Sequence, residues 1–233
     1  MNYASANGKL AALNLAGSLG GGAVSGDLSP RGDVQAIRLK SNDLGALLGF
    51  AGLYQHMEGG QASLDLLGTP DTSYVGTLQV VNFTLVNEPR LSRIVGSSSG
   101  GENGQTLSQA LGQNLQTERA FFDQASAKLS YAGSTLRVTD GILRGPVFGS
   151  SFNGILYNGK GQIDISGSFM PAYGLNRMFG AIPVLGQILG NGNEGGLIGI
   201  TYRLDGPFAS PTLVVNPISV IAPGIFRQIF SYN

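Results

Sequence analysis

Cysteine and tryptophan are absent from this 233-residue chain, histidine occurs once, and charged residues make up 12% of it. Without cysteine there is no disulfide framework, no thiolate metal site and no cysteine nucleophile, and the redox compartment stays open. The one histidine, His56, rules out a two-histidine zinc motif. It stands between Gln55 and Met57 with no Gly-x-Ser-x-Gly elbow beside it, so it reads as an ordinary residue just past a helix end. Lys+Arg and Asp+Glu number 14 each, a net charge of zero, which leaves no electrostatic footprint for nucleic acid. No segment reaches the roughly 18 uninterrupted apolar residues of a spanning helix. Residues 1–8 lack the basic and apolar regions of a secretion signal and read like the middle of a longer protein.

What the chain does have is 37 glycines and 42% hydrophobic residues, enough for one large all-β domain over residues 1–233. The glycines fall at the ends of short segments that alternate apolar and polar, the pattern of many strands joined by tight turns. Leu13, Leu15, Gly17 and Leu19 share one phase before Gly20-Gly21-Gly22, and strands follow at residues 23–28 and 34–39. The intervening Arg31-Gly32-Asp33 is read as turn chemistry rather than as an adhesion motif.

A helix begins behind Ser41-Asn42-Asp43, which are good N-cap residues, and aligns Leu44, Leu47, Leu48 and Ala51. Strand alternation returns in Ala62, Leu64 and Leu66, and again over residues 74–87. There the apolar phase shifts between Val80 and Val81, which predicts a β-bulge and a curved sheet. Glu88-Pro89-Arg90-Leu91 opens a short helix through Val95. A Gly/Ser-rich loop, expected to be mobile, covers residues 96–106, and Leu107, Ala110, Leu111 and Leu115 mark another amphipathic helix. Residues 121–169 read as an antiparallel meander with an Asn158-Gly159 hairpin turn.

Chemistry is sparse. Asp27, Asp43, Asp71, Asp140 and Asp205 sit at turns and strand ends, although a carboxylate pair that meets only in the fold would still permit a hydrolase. Neither Gly-rich loop, residues 100–104 or 190–196, has the Lys-Ser/Thr ending of a phosphate loop. Asn191, Asn193 and Glu194 offer one carboxylate between them, a poor calcium set. The expectation is therefore no enzyme, no metal and no cofactor. Apolar surface is what remains: either a closed core, or an open trough floored by Leu129, Leu136, Val138, Ile163, Ile165, Ile198, Ile200 and Tyr202.

Near the end an apolar stretch, residues 170–190, is broken by Pro171, Gly174, Gly180, Pro183 and Gly186, and reads as a helical pair. Four ordered phrases surround it: residues 167–176 (GSFMPAYGLN), 182–189 (IPVLGQIL), 196–207 ending in Tyr202-Arg203-Leu204-Asp205-Gly206-Pro207, and 211–219 (PTLVVNPIS). These phrases resemble the C-terminal region of the bacterial AsmA-like proteins, in particular the YhdP-type branch. The likeness extends more loosely to Leu44, Leu48, Gly59-Gly60 and Val80-Val81-Asn82-Phe83.

The resemblance implies a mainly β fold, a curved antiparallel sheet forming an elongated apolar groove (a β-taco) with several short amphipathic helices. It also implies the terminal segment of a periplasmic bridge-like lipid transfer protein. Phospholipids would be its cargo and bacterial membranes its partners, with an inner-membrane anchor in the full-length parent that these residues do not include. The trough residues would then meet acyl chains. Leu175, Met178, Phe179, Ile182, Leu185 and Ile188, with Ile225, Phe226, Ile229 and Phe230, would plug the groove's end or dip into a membrane. AsmA-like relatives also suggest an alternative, an assembly or structural factor for the outer membrane that carries no lipid.

Overall fold

The structure is a computed structural model that describes residues 2–6, 9–97, 116–171 and 197–221. The chain is mainly β. Twelve strands form one antiparallel sheet in strict sequence order: β1 (Asn2–Ala6), β2 (Lys9–Leu19), β3 (Gly22–Arg31), β4 (Val34–Ser41), β5 (Met57–Gly68), β6 (Tyr74–Val86), β7 (Arg119–Ala132), β8 (Thr135–Arg144), β9 (Phe148–Tyr157), β10 (Gln162–Pro171), β11 (Leu197–Pro207) and β12 (Thr212–Ile221). The sheet does not close, so β1 and β12 are its edges.

Strict sequence order sorts the connections by rim. One rim carries tight turns, such as Gly32 at φ +63° and Gly133-Ser134 at φ +53° and +62°. At the other rim, α1 (Leu44–Phe50) joins β4 to β5, and α2 (Pro89–Gly96) follows β6. Asp43 caps α1 as its sequence suggests, accepting from the Ala46 N–H at 2.9 Å. Glu88 caps α2, accepting from the Arg90 N–H at 3.0 Å, with Pro89 in the first turn where no backbone donor is needed. Ser97 Oγ closes the C-terminal end of α2 on the Ile94 carbonyl, so the loop expected from residue 96 starts inside a helix. The rest of that loop, the helix expected at 107–115 and the helical pair at 170–190 lie outside the described residues, apart from Met170 and Pro171 in β10.

The phase shift in β6 is present, but it is not a bulge. Ala62 faces Val80 and Gly59 faces Phe83 in one unbroken register, and Val80–Ala125 and Phe83–Phe122 keep register on the other side. The change of face occurs in adjacent strands at one level, through Gly59 and Gly60 (φ +69° and +95°) and Asn82 (φ +56°). Because neighbouring strands shift together, no extra residue is inserted. A register shift does occur one strand pair further on, between β7 and β8, where Asp140 (φ +50°) and Gly141 stand opposite a single β7 position.

Candidate functional site

Residues directly opposite in an antiparallel sheet share a face, so the register turns one-dimensional alternation into rows. One row crosses every strand: Tyr3, Leu13, Leu28, Ile37, Leu66, Gly76, Leu129, Val138, Gly154, Ile165, Leu204 and Leu213. It contains no charged side chain. A second row on the same face runs Leu15, Gly26, Leu39, Leu64, Leu78 and Ala127, meets the β8 irregularity, and continues through Phe152, Gly167, Tyr202 and Val215.

The two halves of this face differ in burial. From β7 onward the rows are packed into protein: Ala127, Leu129, Val138, Ile163 and Ile165 form one buried cluster, with Leu64, Leu66, Leu78, Leu136, Leu204 and Phe208 against it. That grouping brings β5 and β6 against β10 and β11, so the sheet rolls over on itself here. A second cluster joins Val80, Phe83 and Phe122 to Phe169, Ile200 and Leu213, with Leu91, Ile94 and Val95 of α2 among them. The helix thus closes a gap that strand pairing leaves open, and Arg93 ties it to the edge strand by donating to the Leu213 carbonyl. On β2–β4, by contrast, Leu13, Leu15, Leu28, Ile37 and Leu39 belong to neither cluster and are only half-buried.

Of the eight residues expected to floor a trough, seven come together in the two clusters; Leu129, Val138, Ile163, Ile165 and Ile200 are buried, with Val138 2% and Ile200 1% exposed. Leu136 and Tyr202 are the partly buried members that flank them. The eighth, Ile198, stands opposite Val220 in β11, and its side chain lies outside the described set. Residues 175–188 and 225–230 of the expected membrane or groove-end contacts lie outside the described residues. Sequence reading missed the half-exposed rows of β2–β4. Their alternation was visible, but alternation does not tell which strands will be covered.

Polar groups on and near this face are few and paired. Ser150 and Tyr202 share a hydrogen bond of 2.9 Å inside the roll, and burial pushes the Tyr202 hydroxyl above its usual range. At the helix rim Tyr54 donates to Glu88, a carboxylate 5% exposed that also pairs with Arg90 at 3.2 Å. Burial first, and then that bond, hold the Tyr54 proton well above the ordinary phenol range. His56 packs edge-on to Tyr54, with its Nδ1 3.1 Å from the Val86 carbonyl oxygen. Among the described residues no group of three or more His, Asp or Glu is placed to hold a metal ion.

The opposite face is polar. Asn14, Asp27, Arg38, Asp65, Thr77 and Lys128 form a row in which Arg38 lies between Asp27 and Asp65, at 3.6 and 3.5 Å. A depression of about 590 Å³ on this face is lined by Ala16, Ser25, Lys40, Ser63 and Gln79 among others, where small side chains leave the twisted sheet uncovered. Charge is thus segregated onto one face and apolar surface onto the other. Among the described residues no helix is long and apolar enough to cross a membrane. No family model, curated protein or solved structure matches the chain.

Proposed function

We propose that this chain binds the acyl chains of phospholipids along the apolar rows, as the terminal segment of a periplasmic conduit between inner and outer membrane. The observation that carries the reading is the uncharged row from Tyr3 to Leu213, together with its burial gradient. Strands β2–β4, where the row is half-buried and its residues belong to neither buried cluster, are the acyl-contact half. Strands β7–β12, where it is packed into the two buried clusters, are the closed end. Leu129, Val138, Ile163 and Ile165 then act as the stopper's core, and Leu13, Leu28, Ile37 and Leu39 meet lipid.

The energetics favour such a surface. Carrying a chain of about 16 carbons through water leaves roughly 12 kcal/mol of apolar hydration cost at about 0.8 kcal/mol per methylene. A continuous apolar strip removes most of this while the headgroup stays in water. With strands about 4.8 Å apart, the twelve-stranded sheet extends on the order of 50 Å, of which β2–β4 offer the acyl-contact part. This reading requires no catalysis and no cofactor.

Native mass spectrometry of gently purified protein, combined with a photo-crosslinking amino acid at Leu39 or at Ile165, tests the assignment. Co-purified phospholipid and lipid adducts at Leu39 but not at Ile165 are expected. Absence of lipid in both measurements overturns the proposal. Co-isolation of a β-barrel protein instead of lipid supports an assembly role.

A further inference from the structure

The segment between Asp43 and Glu58 contains no Asp, Glu, Lys or Arg. Its first part, α1, is anchored: Leu44 packs against the interior cluster, and Gly45 lies so close to the Met57 backbone that a Cβ would sit 2.4 Å from its carbonyl oxygen. The chain then turns back sharply at Gly52 (φ +68°). On this turn Phe50 is 78% exposed and Leu53 54%, with Ala51 and Gly52 exposed between them. Two large apolar side chains three residues apart therefore stand in water at the rim of the sheet, on a rigid support.

The turn's backbone is closed on itself. The N–H groups of Ala51, Gly52 and Leu53 donate to the carbonyls of Leu47, Gly49 and Leu48 at 3.0, 3.1 and 2.9 Å. Gln55 Nε2 donates a further bond to the Gly49 carbonyl at 3.1 Å. A turn that exposes apolar side chains while satisfying its own donors can leave water without stranding polar groups. The tip is small, and a protein partner needs about 800 Å² per side, whereas a bilayer surface needs only a few anchors. Uncharged over residues 44–57 save for His56, it also has no basic cluster to select anionic lipid.

We propose that residues 50–53 form a membrane-docking tip, in which Phe50 and Leu53 enter the interface of a neutral bilayer. The proposal goes beyond acyl binding on the rows, since the tip would insert whether or not the sheet accepts lipid.

Because the chain has no tryptophan, Phe50→Trp introduces a single reporter at an exposed position. Titration with phosphatidylcholine vesicles is expected to shift its emission to the blue, to make it quenchable by bromine-labelled acyl chains, and to do so equally at low and high salt. Adding Leu53→Asp should weaken vesicle partition by roughly tenfold or more, with an unchanged far-ultraviolet circular dichroism spectrum. Unchanged emission throughout the titration overturns the proposal. A blue shift that follows protein concentration without vesicles overturns it too, because it marks contact between chains. Uptake of a lysophospholipid below its micelle concentration, followed in the same variants, reports the apolar rows separately, so tip and rows can fail independently.

Discussion

Arg93 on α2 donates through Nη2 to the carbonyl oxygen of Leu213, 3.4 Å away on the edge strand β12. Helix and edge strand come from residues 120 positions apart, and the contact lies where the rolled sheet is not joined by strand pairing. The closure combines this polar link with the burial of Leu91, Ile94 and Val95. The two contributions are unequal, and variants can separate them.

Ile94→Ala should cost about 2–5 kcal/mol, the range for removing a buried aliphatic side chain that leaves a cavity. Arg93→Ala should cost no more than about 1 kcal/mol, because Arg93 is exposed and its long, part-buried hydrogen bond is largely replaced by solvent. Urea unfolding with a common slope checks the order: the midpoint of Ile94→Ala falls well below that of Arg93→Ala.

Two glycines on the apolar face should respond oppositely to a methyl group. At Gly167 a Cβ would stand 2.5 Å from both the Tyr202 hydroxyl and the Ser151 carbonyl oxygen, so Gly167→Ala should destabilise by about 1–3 kcal/mol. At Gly17 nothing lies within 4 Å, so Gly17→Ala should be neutral or stabilise by up to about 1 kcal/mol through the unfolded chain. Thermal melts of the pair decide between them.

The raised phenols fix the sign of the alkaline response. Tyr54 and Tyr202 hold their protons above the usual range, chiefly through burial. An acid whose pKa is raised by folding contributes fully below its unfolded value and loses that contribution as pH rises past it. Stability should therefore fall from about pH 10 upward, as phenols of the unfolded chain ionise first. Tyr54→Phe should flatten part of that decline in denaturant titrations between neutral and alkaline pH.

Position along the row should decide what a charge does. Leu39→Asp, on the half-buried half, should leave the protein folded and reduce acyl-chain affinity by about tenfold or more. Val138→Asp, 2% exposed, should prevent stable folding by burying an unpaired carboxylate. Binding of a fluorescent fatty acid, with circular dichroism as the fold control, reads both.

Much of this architecture is legible in the residues. Alternation, glycine punctuation and the Asp43 and Glu88 caps locate strands and helices because each is set by neighbours in sequence. The β6 phase shift was legible too, but its cause was not. A lone strand cannot reveal that its neighbours shift at the same level, as Gly59-Gly60 and Asn82 do. The candidate site was half legible for a similar reason. Leu129 and Leu39 carry the same alternation signal, and only the roll of β5 and β6 toward β10 and β11 makes one a core residue and the other a surface one. Strand β1 escaped notice because Asn2–Ala6 is short and mostly small or polar.

The pairing of each strand with its immediate predecessor and successor also has a kinetic side. Most ladders close a short loop, β6–β7 and β10–β11 with residues 87–118 and 172–196 between them being the exceptions, so the entropy of bringing most partners together stays low despite the all-β composition. The sheet can assemble by adding one hairpin at a time to a growing edge, in the manner of a repeat array. Among the described residues its margin, β1 to β4, contributes to neither buried cluster, whereas α2 packs into one of them. Amide exchange should therefore be fastest at the β1 margin and slow progressively toward β7, a gradient of local opening within one continuous sheet.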